Sequence, residues 1–147
     1  MSEKTLNFKE FPSSMKNGIL FLIIGWVWHY FFLYRFSKFP SVDIQPKMVL
    51  SHLVLGLGIC YCVIKVKKWA RPLCITGNSI IIIYHLFFMS LFVLGNKMNL
   101  SVLSGIIVIF FSISTYYLAI KKTSKFFKEY NKKDGEDENK KPSTNKA

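Results

Sequence analysis

The hydropathy pattern divides the chain into four long apolar segments, separated by short stretches rich in charged residues. Each segment has about the 17–25 apolar residues that an α-helix needs to cross the hydrocarbon core of a bilayer. No water is available there, so the backbone must satisfy its own hydrogen bonds, and a helix does so. The pattern therefore predicts four transmembrane helices, at about residues 17–34, 48–65, 72–94 and 100–120.

The residues between these segments indicate how the helices are connected. Prolines lie before the first segment, in the first loop and at the first turn of the third segment, and no proline interrupts a span. The loops, of about 13, 8 and 5 residues, are short enough to make consecutive helices antiparallel neighbours. The predicted fold class is an all-α membrane protein, an up-down-up-down bundle of four transmembrane helices.

The two ends of the chain differ in composition from the transmembrane domain, which covers residues 17–120. Residues 1–16 alternate apolar and charged side chains and predict a cytoplasmic N-terminal arm at the membrane interface. Residues 121–147 begin with lysines that alternate with aromatic residues, which suits a helix leaving the bilayer along an anionic inner surface. From Asn131 onward the residues are nearly all polar or charged, so we expect a disordered tail there.

The basic residues fix the expected orientation and partners. The chain is 51% hydrophobic with a net charge of +12, yet its positive charges lie at span ends and in the tail, without a nucleic-acid recognition motif. Sixteen of the twenty Lys and Arg residues fall in the N-terminal arm, the second loop and the tail. The positive-inside rule therefore predicts a cell-membrane protein with both termini in the cytoplasm. The expected partner is a bilayer with an anionic inner leaflet. Nucleic acid is not expected as a partner.

Small residues at helical spacing mark the faces through which membrane helices pack. The first, second and fourth spans each carry such a stripe, and we expect these stripes to face the interior of the bundle. The helix-packing residues predicted on this basis are Gly18, Gly25, Gly56, Ser101, Gly105 and Ser112.

The three histidines form the candidate site. His29, His52 and His85 lie on or beside the packing stripes and at one depth, in the outer half of the membrane. Neutral histidines that hydrogen-bond across helices are the first interpretation, and no cofactor is then expected. A cofactor-binding set that holds a haem or a metal ion is the alternative. No Asp or Glu lies within a span, which disfavours both acid–base catalysis and proton-coupled drug export.

The sequence of the second loop resembles a loop of other membrane proteins. Its sequence Lys-Val-Lys-Lys-Trp-Ala-Arg-Pro-Leu, residues 65–73, is similar to a loop found in several groups of small, mostly uncharacterised bacterial four-span integral membrane proteins. The resemblance implies a four-span architecture and transfers no activity. In physical terms, Trp69 anchors the loop at the membrane interface, while Lys67, Lys68 and Arg71 hold it in the cytoplasm. A lipid-headgroup or partner site in this loop is the alternative.

Three functional hypotheses follow from these features. The first is a non-enzymatic accessory protein, active as a homo-oligomer or with membrane partner subunits. The second is a membrane redox or metal-binding protein that uses the three histidines. The third is a small transporter or channel component, which would need to oligomerise because four helices enclose no wide pore.

Overall fold

The computed structural model describes residues 8–38 and 45–139 and consists of helices joined by short turns. The beginning of the predicted N-terminal arm, the middle of the first loop and the last part of the tail lie outside the described residues. Among the described residues there is no strand. A short 3-10 turn at Phe8–Glu10 precedes five α-helices: α1 (Ser13–Phe36), α2 (Pro46–Ile64), α3 (Ala70–Leu94), α4 (Met98–Ala119) and α5 (Lys121–Asn139).

Helices α1 to α4 confirm the predicted fold class. Each is long and apolar enough to span a membrane, and together they form an up-down-up-down bundle. Their ends lie within a few residues of the predicted spans, except that α1 begins at Ser13, directly after Pro12. Proline has no backbone N–H to donate, and its φ is preset for the first turn of a helix. Pro12 is the N-cap of α1, and its carbonyl accepts from the N–H groups of Met15 and Lys16, so the helix begins directly after it.

Helix α4 is the centre of the bundle. It packs along both α1 and α3, whereas α2 makes only limited contact with its neighbours. Large side chains of α1 and α4 are fully buried inside the bundle, among them Leu22, Phe32, Ile107 and Phe111. Among the residues of α2 whose burial is described, by contrast, only Gly56 and Val63 are buried. The bundle is therefore a tight three-helix unit with a fourth helix attached loosely to one side.

Two helices end in the same type of cap. The N–H of Lys67 bonds the Cys62 carbonyl at 3.1 Å after α2, and the N–H of Lys97 bonds the Phe92 carbonyl at 2.7 Å after α3. This six-to-one bond defines the Schellman motif, which places the preceding residue in the left-handed region. Asn96 suits that conformation with φ of 54°, but Val66, with φ of 52°, is a β-branched residue for which it is strained.

Helix α5 departs from the expectation for the tail. We expected disorder from Asn131 onward, whereas the helix continues to Asn139. Asn131 contributes to this difference, since its amide group donates to the carbonyls of Val66 and Phe127, at 3.1 and 2.7 Å. This side chain ties α5 to the α2–α3 loop. At the start of the described residues, Phe11 is buried and its ring lies 5.8 Å from that of Phe126, so this part of the predicted arm packs against α5.

Candidate functional site

The histidines converge from three helices. His29 on α1 and His85 on α3 are both buried, and His29 Nδ1 lies 3.0 Å from His85 Nε2. The other nitrogen of His85, Nδ1, lies 3.5 Å from the hydroxyl of Ser104 on α4. A chain of polar groups therefore crosses the bundle from α1 through α3 to α4, where otherwise apolar side chains pack.

His52 on α2 stands at the edge of this cluster. Its ring centroid lies 5.7 Å from that of His29, but its Nδ1 bonds the carbonyl of Met48, one turn earlier on the same helix, at 2.7 Å. A carbonyl only accepts, so His52 must carry its proton on Nδ1. Tyr30 on α1 donates to the backbone carbonyl of His52 at 2.6 Å and links α1 with α2.

The protons of the buried pair have two consistent arrangements. If Ser104 donates to His85, then His85 donates to His29, and the remaining N–H of His29 is at Nε2. If Ser104 accepts instead, the two donations reverse and His29 Nε2 carries a lone pair. Both arrangements leave every ring neutral, so the chain of polar groups requires no counterion.

Two buried nitrogen atoms in this region have no hydrogen-bond partner within the described residues. They are Nε1 of Trp26 and Nε2 of His29. The two rings lie on neighbouring turns of α1, with their centroids 5.5 Å apart. A buried polar atom without a partner costs about 1–3 kcal/mol. These two atoms are therefore the feature of the cluster that most favours an additional hydrogen-bonding group.

The geometry of the histidine pair does not fit a shared metal ion. Two imidazole nitrogens, each about 2.0–2.1 Å from one tetrahedral metal, lie about 3.3 Å apart with both lone pairs aimed at the metal. Here the two nitrogens lie 3.0 Å apart and are hydrogen-bonded to each other. Within the described ranges, no group of three or more His, Cys, Asp or Glu side chains is arranged to hold a metal ion.

Three of the predicted packing glycines lie where helices approach closely. A Cβ at Gly18 would be 3.1 Å from Leu118, and one at Gly25 would be 3.2 Å from the Phe111 ring, so both positions face α4. A Cβ at Gly56 would be 2.8 Å from both Trp26 and the hydroxyl of Tyr30. These residues therefore set the spacing of α1 against α4 and against α2.

The predicted stripe on α4 is displaced from the buried face. Ser101 is buried and Gly105 lies near Met89 of α3, but Ser112 is exposed. The serines that pack inside are Ser104, in the histidine cluster, and Ser114, whose hydroxyl donates to the Gly18 carbonyl at 2.9 Å. Sequence reasoning missed both. The fourth span has serines at 101, 104, 112 and 114, and spacing alone leaves its inward face ambiguous by about one residue, or 100°.

The predicted interface residues take two different roles. Trp69 is 55% exposed, and Lys67 and Lys68 are exposed as well. Arg71 instead binds the end of α4, where its Nε and Nη2 donate to the carbonyls of Leu118 and Ala119 at 2.9 and 3.2 Å. A cation at a helix C-terminus satisfies unpaired carbonyls and complements the helix dipole. Arg71 thus caps a neighbouring helix, a role beyond the one predicted for it at the membrane interface.

Comparisons with protein-family models, with curated proteins and with solved structures found no match to this chain. Its class is therefore defined by the fold and the site alone. The protein is an α-helical multi-pass membrane protein, and its core contains a connected series of neutral histidine and serine side chains.

Proposed function

We propose that the protein is an accessory or oligomeric subunit in the cell membrane, with both termini in the cytoplasm, and that α2 is its contact with another transmembrane helix. The observation that carries this proposal is the loose attachment of α2 to the rest of the bundle. Helix α4 packs extensively against both α1 and α3, whereas α2 presents most of its length outward.

The outward face of α2 has the spacing of a helix-packing surface. Leu50, Val54, Leu57 and Tyr61 follow one another at intervals of four, three and four residues, and each is more than half exposed. Beside them, Gly58 has open space around its α-carbon. Small residues next to such a face let a second backbone approach closely, which is how helices associate in lipid. A second copy of the chain or a membrane partner subunit fits this surface.

Cysteine cross-linking in native membranes tests this role. In a chain whose three native cysteines are replaced by alanine, Val54→Cys is expected to form a disulfide-linked dimer or a larger adduct with a partner subunit. Ile83→Cys on α3 is the matched control, since that side chain is 67% exposed on a different helix. Equal cross-linking at both positions, or none at either, would contradict an interface on α2.

The histidine cluster has a structural role in this proposal. It joins α1, α3 and α4 through polar contacts, and interhelical hydrogen bonds of this kind contribute on average about 0.6 kcal/mol each in a membrane. A rigid three-helix unit then serves as the support on which α2 is displayed.

A redox or metal-binding protein is the second candidate, and the unpartnered Nε2 of His29 is the observation that favours it. This nitrogen carries a lone pair that can ligate a metal or haem iron when the His29 proton is on Nδ1, independently of a metal shared with His85. Absorbance spectroscopy and metal analysis of the purified protein test it. A haem absorbance band or a stoichiometric metal that is lost on His29→Ala would establish this candidate in place of a purely structural cluster.

The basic loop at residues 65–73 supports a further part of the proposal. We propose that the chain is one of the small bacterial four-span membrane proteins whose second loop contains Trp-Ala-Arg. The exposure of Trp69 and the adjacent lysines at the end of the bundle supports this placement, because it suits a membrane interface.

A further inference from the structure

Next to the end of α4, an open cleft of about 420 Å³ separates the start of α3 from α5. It is lined by residues of the second loop, of the first turn of α3 and of one face of α5. The cations among them are Lys68, Arg71, Lys128 and Lys132, and the buried residue Phe127 also lines the cleft. No Asp or Glu is among the described residues that line the cleft.

Other contacts hold the walls of the cleft in place. Asn131 bonds the Val66 carbonyl, which fixes α5 against the second loop. Arg71 is held by its two bonds to the end of α4, and these use Nε and Nη2 of the guanidinium. Its remaining nitrogen, Nη1, makes no hydrogen bond to the described residues. The cleft is thus a preformed concentration of positive charge with at least one unused donor.

The position of the cleft favours a lipid over a free phosphate compound as its ligand. Trp69 is exposed beside it, as is usual for an aromatic residue at the headgroup level. Along α3 from Pro72, which lines the cleft, Ile80 and Ile83 lie on nearly the same side of the helix and are 63% and 67% exposed. At 1.5 Å per residue, Ile83 lies about 16 Å from Pro72, along the path that an acyl chain would follow.

We propose that this cleft binds the phosphate headgroup of one anionic phospholipid, whose acyl chain lies on the exposed isoleucines of α3. Basic pockets between membrane helices are known sites for anionic headgroups, and lysine and arginine supply charge-assisted hydrogen bonds to phosphate oxygens. The site requires neither the accessory role of α2 nor a particular orientation of the chain. Failure of either proposal is therefore distinguishable from failure of the other.

Native mass spectrometry of the full-length protein in detergent micelles tests the site, with phosphatidylglycerol and phosphatidylcholine of identical acyl chains as probes. We expect one phosphatidylglycerol to be retained per chain, in preference to phosphatidylcholine. In the Lys68→Gln/Lys128→Gln variant, affinity for phosphatidylglycerol should fall about 25-fold, at roughly fivefold per lysine. A Lys68→Arg/Lys128→Arg variant keeps the charge and should keep the binding.

The matched control is Lys121→Gln/Lys122→Gln, which removes the same charge from exposed positions of α5 that do not line the cleft. This variant should bind phosphatidylglycerol nearly as well as the unaltered chain. An equal loss in the control would show diffuse attraction in place of a site and would overturn the proposal. So would equal retention of phosphatidylcholine. Displacement of phosphatidylglycerol by millimolar inorganic phosphate would assign the cleft to a free phosphate compound and overturn the lipid assignment.

Discussion

At the residue scale, the contact between α1 and α2 depends on the absence of a side chain at Gly56. An added Cβ would stand 2.8 Å from the Trp26 ring and from the Tyr30 hydroxyl, a distance at which these side chains or one of the helices must shift. This overpacking should cost about 1–3 kcal/mol of stability, while alanine gains roughly 1 kcal/mol in helix propensity. We expect Gly56→Ala to destabilise the protein by the difference between these two terms. The free energy of unfolding in mixed detergent micelles measures the effect.

Gly58→Ala is the control for that prediction. It makes the same chemical change two residues further along α2, at a position where a Cβ would meet nothing within 4 Å. Only the gain in helix propensity remains there, so the variant should equal or exceed the original stability. If both variants are equally stable, α2 does not pack on Trp26 as described.

The His29–His85 hydrogen bond should appear as coupling between the two residues. Replacing either histidine by leucine leaves a buried nitrogen of the other unpaired, while replacing both removes the two polar rings together. The double variant should therefore lose less stability than the two single variants combined, by about 0.6 and at most about 1.7 kcal/mol. A double-mutant cycle of unfolding free energies measures this difference.

The pair His29 and His52 supplies the reference cycle. Although their rings lie 5.7 Å apart, His52 directs Nδ1 to the Met48 carbonyl of its own helix. Its coupling to His29 should be near zero. Additive losses for His29 and His85 would show that their bond contributes nothing in the membrane.

These residues also show which features of the site can be predicted from the sequence and which cannot. The fixed rise of a helix placed all three histidines at one depth, and the structure brings them together. Depth does not determine how a helix is rotated about its axis, however. That rotation decides whether Ser104 or Ser112 faces inward and whether His85 or His52 bonds His29. It is set by contacts between helices, such as Gly25 against Phe111, which no local pattern contains.

At the scale of the elements, Arg71 joins the start of α3 to the end of α4. Its planar guanidinium reaches two successive carbonyls, a geometry that a single ammonium group cannot reproduce. We expect Arg71→Lys to lose about 0.5–1.5 kcal/mol of stability, since it removes one of the two hydrogen bonds to the α4 terminus. Arg71→Lys keeps the positive charge, whereas Lys68→Gln removes one from an exposed side chain of the second loop, so the effect of Lys68→Gln on stability should be smaller. Unfolding titrations of both variants test the contrast.

Helix α5 shows contacts of the tail that composition alone does not reveal. Composition alone indicates disorder after Asn131, because few apolar residues follow it. In the structure this region is the continuation of a helix whose start is held by Phe127, which is 5% exposed, and by the bond from Asn131 to the second loop. Long-range contacts of this kind stabilise a helix that its own composition would not.

At the scale of the whole molecule, the two ends of the bundle differ in chemistry. One end carries the basic second loop, the charged face of α5 and the cleft between them. The histidine cluster lies toward the opposite end, near the α3–α4 turn. The positive-inside rule predicts that the basic end lies in the cytoplasm, as proposed above. With that orientation, the cleft faces the inner leaflet, where anionic lipids are concentrated, and the histidines lie in the outer half.

Cysteine labelling from one side of the membrane tests this orientation. In a chain without native cysteines, Asn99→Cys should react in intact cells with a membrane-impermeant maleimide, because Asn99 is exposed at the start of α4. Lys68→Cys, exposed at the opposite end of α3, should react only after the cells are permeabilised. One helix separates the two positions, so each serves as the control for the other. The reverse pattern would place the basic end outside and move the lipid cleft to the outer leaflet.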